Sequence, residues 1–256
     1  MNFIDTHSHL FVEEFAEDLP LVIQRAKAVG VSRIYMPNID CSTIQPLLDT
    51  VARYPDYCFP MIGLHPTSVN IGFREELSVM KKMLEQPHSF VAIGEVGMDL
   101  YWDRTYLCEQ FEAFETQLQW SAEYKLPLII HSRDSFDEVY QVMKRNEDKE
   151  LKGIFHSFTG TKEEAELLLQ FDGFYLGING VVTFKKSALP EVLRSVPLER
   201  IVLETDSPYL TPAPNRGKRN ESANVKDTLL KLAAIYQCPA EEVAEITTRN
   251  ALKIFN

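Results

Sequence analysis

The sequence predicts an α/β fold, and within that class a closed (β/α)8 TIM barrel in which residues 1–256 form one domain. Three observations support this. Eight short apolar or β-branched runs alternate with amphipathic stretches from one end of the chain to the other. The runs are apolar nearly throughout rather than at alternate positions, as in a parallel sheet covered by helices on both faces. Eight such units in 256 residues also match the usual barrel size of about 250 residues. An open doubly wound sheet is the competing topology, but no GxGxxG loop follows the first run.

In chain order, strands are expected at NFID (2–5), RIYMPN (33–38), FPMIGLH (59–65), FVAIGE (90–95), LPLIIH (126–131), GIFHSF (153–158), FYLGING (174–180) and RIVLETD (200–206). After the first run, Leu19, Val22, Ile23, Ala26 and Val29 recur at helical spacing, and Gly30 is a natural stop. Leu107, Phe111, Phe114 and Leu118 repeat that pattern in a longer helix. Thr161 and Glu164 form a capping box ahead of Ala165, Leu168 and Leu169. A Pro-rich loop, TPAPNRGKRNES, then precedes two closing helices around 224–236 and 240–254. No internal repeat beyond the βα unit and no linker interrupts the pattern.

The chain is 45% hydrophobic and 25% charged, an ordinary globular composition with enough apolar residues for one sizeable core. Its net charge of −11 argues against broad coating of long nucleic acid. A local phosphate-ester site stays open, because bound cations can reverse the sign there. No apolar run approaches the roughly 20 residues of a membrane span, and MNFIDTHSHL lacks the basic and apolar regions of a signal peptide. Cys41, Cys58, Cys108 and Cys238 are scattered with no CxxC pair, which predicts reduced, mostly buried thiols in a cytoplasmic protein.

The stretch FIDTHSHL sets Asp5, His7 and His9 at alternate positions, on one face if it is a strand. That suits metal ligands, and equally a polar strand end with hydrogen-bonded histidines. Barrels carry their chemistry at the C-terminal strand ends, and there lie His7, His9, His65, Glu95, His131, His156 and Asp206. Of the six histidines only His88, in the QPHSF loop, falls elsewhere, so chance placement of core histidines is a poor account of the set. His7, His9, His131 and His156 with Glu95 and Asp206 have the donor types that hold two divalent cations. Two such cations would make the pocket locally cationic, clamp the attacking and leaving oxygens of a displacement, and acidify a bound water.

The motifs DTHSHL, GLHP, GEVGMD, IIHSR, FHSFTG and ETDSPYL, followed by NRGKRNE, run in order across residues 5 to 221. Together they resemble the TatD family of metal-dependent hydrolases, part of the amidohydrolase superfamily of (β/α)8 barrels, whose members are described as deoxyribonucleases. The resemblance implies that His7, His9 and Asp206 bind one metal, that His131 and His156 bind a second, and that Glu95 bridges them. It also implies Asp206 as the general base and His65 as the residue that orients the phosphate or protonates the leaving group. A supporting or structural role for His65 stays open, as does a turn-capping role for Asp206. Asp5 is a candidate partner for a ligand histidine. Arg133, Arg216, Lys218 and Arg219 are candidates for substrate phosphates, against the alternative of solvated surface charge, and Glu204 is a candidate anchor for Arg216 or Arg133. Ser222 after NE and LYWD after Met98–Asp99 depart from the family pattern, at the substrate rim rather than the metal centre.

These features predict a divalent-metal-dependent deoxyribonuclease that acts on DNA ends or short single strands. Imidazole-rich ligation favours Zn2+ or Mn2+, with Mg2+ as the oxygen-preferring alternative. The competing functions are an amidohydrolase, lactonase or esterase acting on a small molecule, and a non-catalytic metal-binding barrel. A monomer with no obligate protein partner is expected.

Overall fold

The computed structural model describes residues 1–213 and 215–256; Pro214, in the Pro-rich loop, lies outside them. Among the described residues the strands are β1 (Phe3–Asp5), β2 (Val31–Met36), β3 (Cys58–Pro60), β4 (Ile93–Asp99), β5 (Leu128–Arg133), β6 (Gly153–Phe155), β7 (Phe174–Ile178) and β8 (Ile201–Leu203). The helices between them are α1 (Leu19–Val29), α2 (Ile44–Arg53), α3 (Phe73–Leu84), α4 (Leu107–Tyr124), α5 (Phe136–Arg145), α6 (Lys162–Leu168) and α7 (Leu189–Leu193); α8 (Val225–Tyr236) and α9 (Ala240–Phe255) close the chain. Among the described residues, no helix is long and apolar enough to cross a membrane.

All strand pairs are parallel and follow chain order, β1-β2-β3 in one sheet and β4 to β8 in the other. The two sheets meet at both edges through isolated parallel bridges, Ser8 with Ser207 and Ile62 with Ile93. The Thr6 N–H donates to Leu203 O (3.0 Å) and the Asp206 N–H to His7 O (2.9 Å) at one seam; the Gly94 N–H donates to Ile62 O (2.9 Å) at the other. The arrangement is therefore TIM-barrel-like, with narrow seams in place of a continuous ladder.

Ile4, Tyr35, Ile129, Ile154 and Val202, drawn from strands around this sheet pair, and Met61, just past β3, cluster with Ala251 and Ile254 of α9. Burying each Ile or Val there contributes on the order of 1.5–3 kcal/mol, so α9 is held as a plug. The larger apolar cluster joins the strands to the surrounding helices. Local signals act as expected. Gly30 takes a left-handed φ of 103° and donates to Ala26 O and Lys27 O, and Thr161 and Glu164 cap α6 reciprocally at 3.2 and 2.6 Å.

Several strand boundaries differ from those expected. β1 stops at Asp5, so His7 and His9 sit past the strand on a segment pinned to Tyr35 and Ser207 by the Ser8 N–H (3.1 Å) and His9 N–H (2.8 Å). β3 stops at Pro60, five residues before His65. β4 begins at Ile93 and runs past Glu95 to Asp99, because its backbone stays in register with His131 to Arg133. Gly97 permits that close approach: its φ is 126°, and a Cβ there would lie 2.1 Å from His131 O. Of the four thiols, Cys58 is buried, Cys41 and Cys238 are half-buried and Cys108 is exposed, so the expectation of mostly buried cysteines is corrected.

Candidate metal centre

The seam between β1 and β8 sets the first half of the site. Buried Asp5 accepts the Thr205 N–H (2.9 Å) and hydroxyl (2.8 Å), and weakly the His7 N–H (3.4 Å). Burial pushes its carboxyl up to about 7. Asp5 thus braces the backbone beneath His7 and Asp206, not an imidazole ring as the sequence suggests.

His7 Nε2 and His9 Nε2 lie 3.2 Å apart. Two nitrogens bound to one tetrahedral ion at about 2.0–2.1 Å would be about 3.3 Å apart. Glu95 Oε2 is 3.1 and 3.6 Å from those nitrogens, and Asp206 Oδ1 is 3.8 and 3.6 Å from them. Two imidazole nitrogens and one carboxylate oxygen, from His7, His9 and Glu95, therefore lie close enough together for one divalent cation, with Asp206 Oδ1 near both nitrogens. Glu95 Oε1 faces the other way, 2.9 Å from His131 Nδ1, 3.4 Å from His65 Nε2 and 3.7 Å from His156 Nε2. His156 Nε2 is also 3.7 Å from Asp206 Oδ1. His7–His9–Glu95, His7–His156–Asp206 and His65–Glu95–His131 are each compact enough to hold an ion. The donor set fits divalent metal, with Glu95 presenting one oxygen to each half.

Two residues that the strand-end pattern does not assign to the centre complete it. Asp99 Oδ2 lies 2.8 Å from His131 Nε2. It stands on the same face of β4 as Glu95, four positions on, which the period of two would have shown had the strand been read far enough. Glu204 is buried, with Oε1 3.0 Å from His156 Nδ1 and accepting the Ser157 N–H (2.7 Å). It therefore orients a histidine rather than anchoring Arg216 or Arg133. Gly177 leaves room for it, since a Cβ there would meet Glu204 Oε2 at 2.2 Å.

The buried charges set one another. Burial opposes the Glu95 carboxylate, yet the fields of His7, His65 and His156 and the His131 hydrogen bond hold it well below the usual range. Asp206 is likewise penalised by burial, yet held low by His156, His9 and His7. Burial also opposes the His131 cation, but hydrogen bonds to Asp99 and Glu95 push it up to about 9. For His156, Glu204, Glu95 and Asp206 overcome burial and push it up to about 10. Burial and the nearby His156 bring His7 down to about 4. Burial also lowers His65, whose Nδ1 accepts the Thr67 N–H (3.1 Å); its proton therefore belongs on Nε2, facing Glu95.

A cavity of about 650 Å3 opens over these residues, lined by His9, His65, Glu95, His131, His156 and Asp206 together with Ile39, Trp102, Arg133, Val181, Tyr209 and Leu210. Arg133 is its one Lys or Arg among the described residues, its guanidinium 3.8 Å from the Tyr101 ring centre. Arg216 and Lys218 are not part of the lining; Arg216 packs on Phe184 at 3.8 Å, and Arg219 pairs with Asp18 at 2.8 Å.

The model of the family described as TatD related DNase matches residues 4–256. The uncharacterized metal-dependent hydrolase YabD of Bacillus subtilis is 40% identical, covering 98% of both chains. The 3′-5′ ssDNA/RNA exonuclease TatD of Erwinia tasmaniensis is 31% identical, over 98% of this chain and 99% of the relative. The crystal structure of YjjV, a TatD homologue from Escherichia coli K12, superposes with a TM-score of 0.88 at 29% identity, covering 99% of this chain and 98% of that one. The chain belongs to the TatD-related DNase family of metal-dependent hydrolases.

Proposed function

We propose that the protein is a phosphodiesterase that uses two divalent cations, Zn2+, Mn2+ or Mg2+, to cleave DNA at ends or in short single strands. The observation that carries this reading is the division of Glu95: Oε2 faces His7 and His9, while Oε1 faces His131, His65 and His156. His7, His9 and Asp206 would hold one cation and His131 and His156 the other, with Glu95 shared. Cations bound there supply Lewis acidity to the phosphate and lower the pKa of water. Asp206, held ionised beside the histidines, accepts the proton of the attacking water. His65, with its proton on Nε2 beside Glu95, would turn that proton to a phosphoryl or leaving oxygen once substrate enters. Asp99 and Glu204 keep His131 and His156 oriented.

Arg133 is the one Lys or Arg among the described residues of the cavity lining, which favours a substrate with few phosphates. Arg216 and Lys218, beyond the lining, would meet only a longer strand. The relative from Erwinia tasmaniensis carries an exonuclease name, which accords with recognition of strand ends. Apolar lining by Ile39, Val181 and Leu210 supports a second reading, hydrolysis of a small neutral ester, lactone or amide.

One experiment separates the two. The purified protein is assayed with each of the three metals on a single-stranded pentamer and on a panel of neutral esters, lactones and amides. Arg133→Ala should lower pentamer cleavage about tenfold and change any hydrolysis of neutral substrates by less than about twofold. The logarithm of pentamer rate against that of salt should fall with a slope of about −1 to −2. No cleavage of DNA with any of the three metals would refute the phosphodiesterase reading.

Metal uptake should be linked to protons. With His131 and His156 raised to about 9 and about 10, the metal-free site is protonated near neutrality, and an entering cation must displace protons from the ligands. Affinity should therefore rise as pH rises toward about 9. Calorimetry in buffers of different ionisation enthalpy should count about two protons released near pH 7. Affinity unchanged between about pH 6 and 8 would show that these imidazoles are not protonated.

A further inference from the structure

We infer that Trp102 is a stacking platform for the terminal nucleobase of the strand, an inference that rests on the nuclease reading and names a residue that sets its substrate. Three exposed aromatic side chains stand out among the described residues: Tyr101 at 51%, Trp102 at 69% and Tyr209 at 54%. All three sit at the mouth of the cavity. Trp102 and Tyr209 line it, and Tyr101 lies beneath Arg133. Large aromatic faces are costly to leave in water, and their concentration beside the chemistry calls for a ligand with a flat face.

The turn is tied to the metal ligands. Asp99, whose Oδ2 holds His131, uses Oδ1 to accept the N–H groups of Tyr101 (3.1 Å) and Trp102 (3.4 Å). One carboxylate thus sets both the imidazole and the ring. Packing of Arg133 does not account for Trp102. The guanidinium is 3.8 Å from the Tyr101 ring centre and 5.1 Å from that of Trp102, so Tyr101 already supplies its close support. A phosphate on Arg133 would place the neighbouring base within reach of the indole.

Charge decides which base this is. Trp102 also borders a second cleft, lined by Asp40, Glu76, Asp99 and Asp103 with no Lys or Arg among its described lining. A strand continuing past Trp102 would carry its next phosphate into that acidic cleft, where like charges repel it. The base on Trp102 is therefore the last one. Stacking on an aromatic side chain is tolerant of sequence, which predicts end selection without base selection.

The test compares single-stranded pentamers that are intact with ones carrying an abasic residue at the 3′ or the 5′ end, using the native protein, Trp102→Ala and Trp102→Phe. The native protein should prefer the intact over the abasic end by about tenfold in kcat/KM, mainly through KM. Trp102→Ala should bring that ratio near one, and Trp102→Phe should restore most of it. Binding can also be read without turnover in Asp206→Asn. Trp120 is buried at 5% exposure, so quenching by the intact pentamer should come from Trp102 and should be lost with the abasic end. Cleavage with a ratio equal in native protein and Trp102→Ala would overturn the platform and leave the nuclease standing. Absence of cleavage by the native protein would remove both.

Discussion

Glu95→Gln should lower kcat on a short single strand by on the order of 10³-fold, and metal analysis should find both sites depleted. Among the described residues, this carboxylate alone turns one oxygen to each nitrogen set, at 3.1 Å from His7 Nε2 and 2.9 Å from His131 Nδ1. An amide keeps the shape but removes the charge, and one of its two positions becomes a donor that opposes a cation. The burial that makes the charge effective also makes its loss expensive, because Glu95 is one of the charges that offset the burial of the His131 and His156 cations. Unfolding should therefore be followed in parallel, to separate lost metal from lost fold. Activity within about tenfold of native, at native metal content, would mean that the centre is not shared through this residue.

Asp206→Asn should be nearly as damaging to turnover, about 10²- to 10⁴-fold in kcat, with a different pattern. KM for the pentamer should stay within a few-fold, since Asp206 is not asked to hold the strand, and Glu95 with His131 would still retain one cation. The pH profile is the sharper readout. Native Asp206 is held low by His156, His9 and His7, so its proton-accepting form is fully present near neutrality and is lost only as pH falls through its depressed pKa. With metal kept saturating at every pH, residual activity in the variant should lack that acid limb. Native-like kcat would remove Asp206 from the role of base and leave it as a ligand alone.

Much of this was legible in the sequence because the site is built from short motifs at strand ends. Eight apolar runs at barrel spacing locate the strands, and five histidines at one set of ends locate the mouth. What was hidden depends on backbone course. The extension of β4 to Asp99 relies on Gly97 passing within a Cβ's reach of His131 O, a contact between segments that no one-dimensional pattern encodes. Glu204 could not be placed either, since its direction is set by space left at Gly177, 27 positions earlier in the chain. The basic loop NRGKRNE lies outside the cavity lining, with Arg219 paired to Asp18 and Arg216 packed on Phe184, whereas Arg133 of the same candidate set reaches the cavity.

The brace of Asp5 on Thr205 joins positions separated by 200 residues. His7 and Asp206 consequently become neighbours only when the last strand docks on the first, so a growing polypeptide cannot assemble a competent centre until β8 has been made. Such long-range closure is entropically slow. It also acts as a safeguard, because a prematurely terminated product would carry His7 and His9 without the acidic partner from the far end.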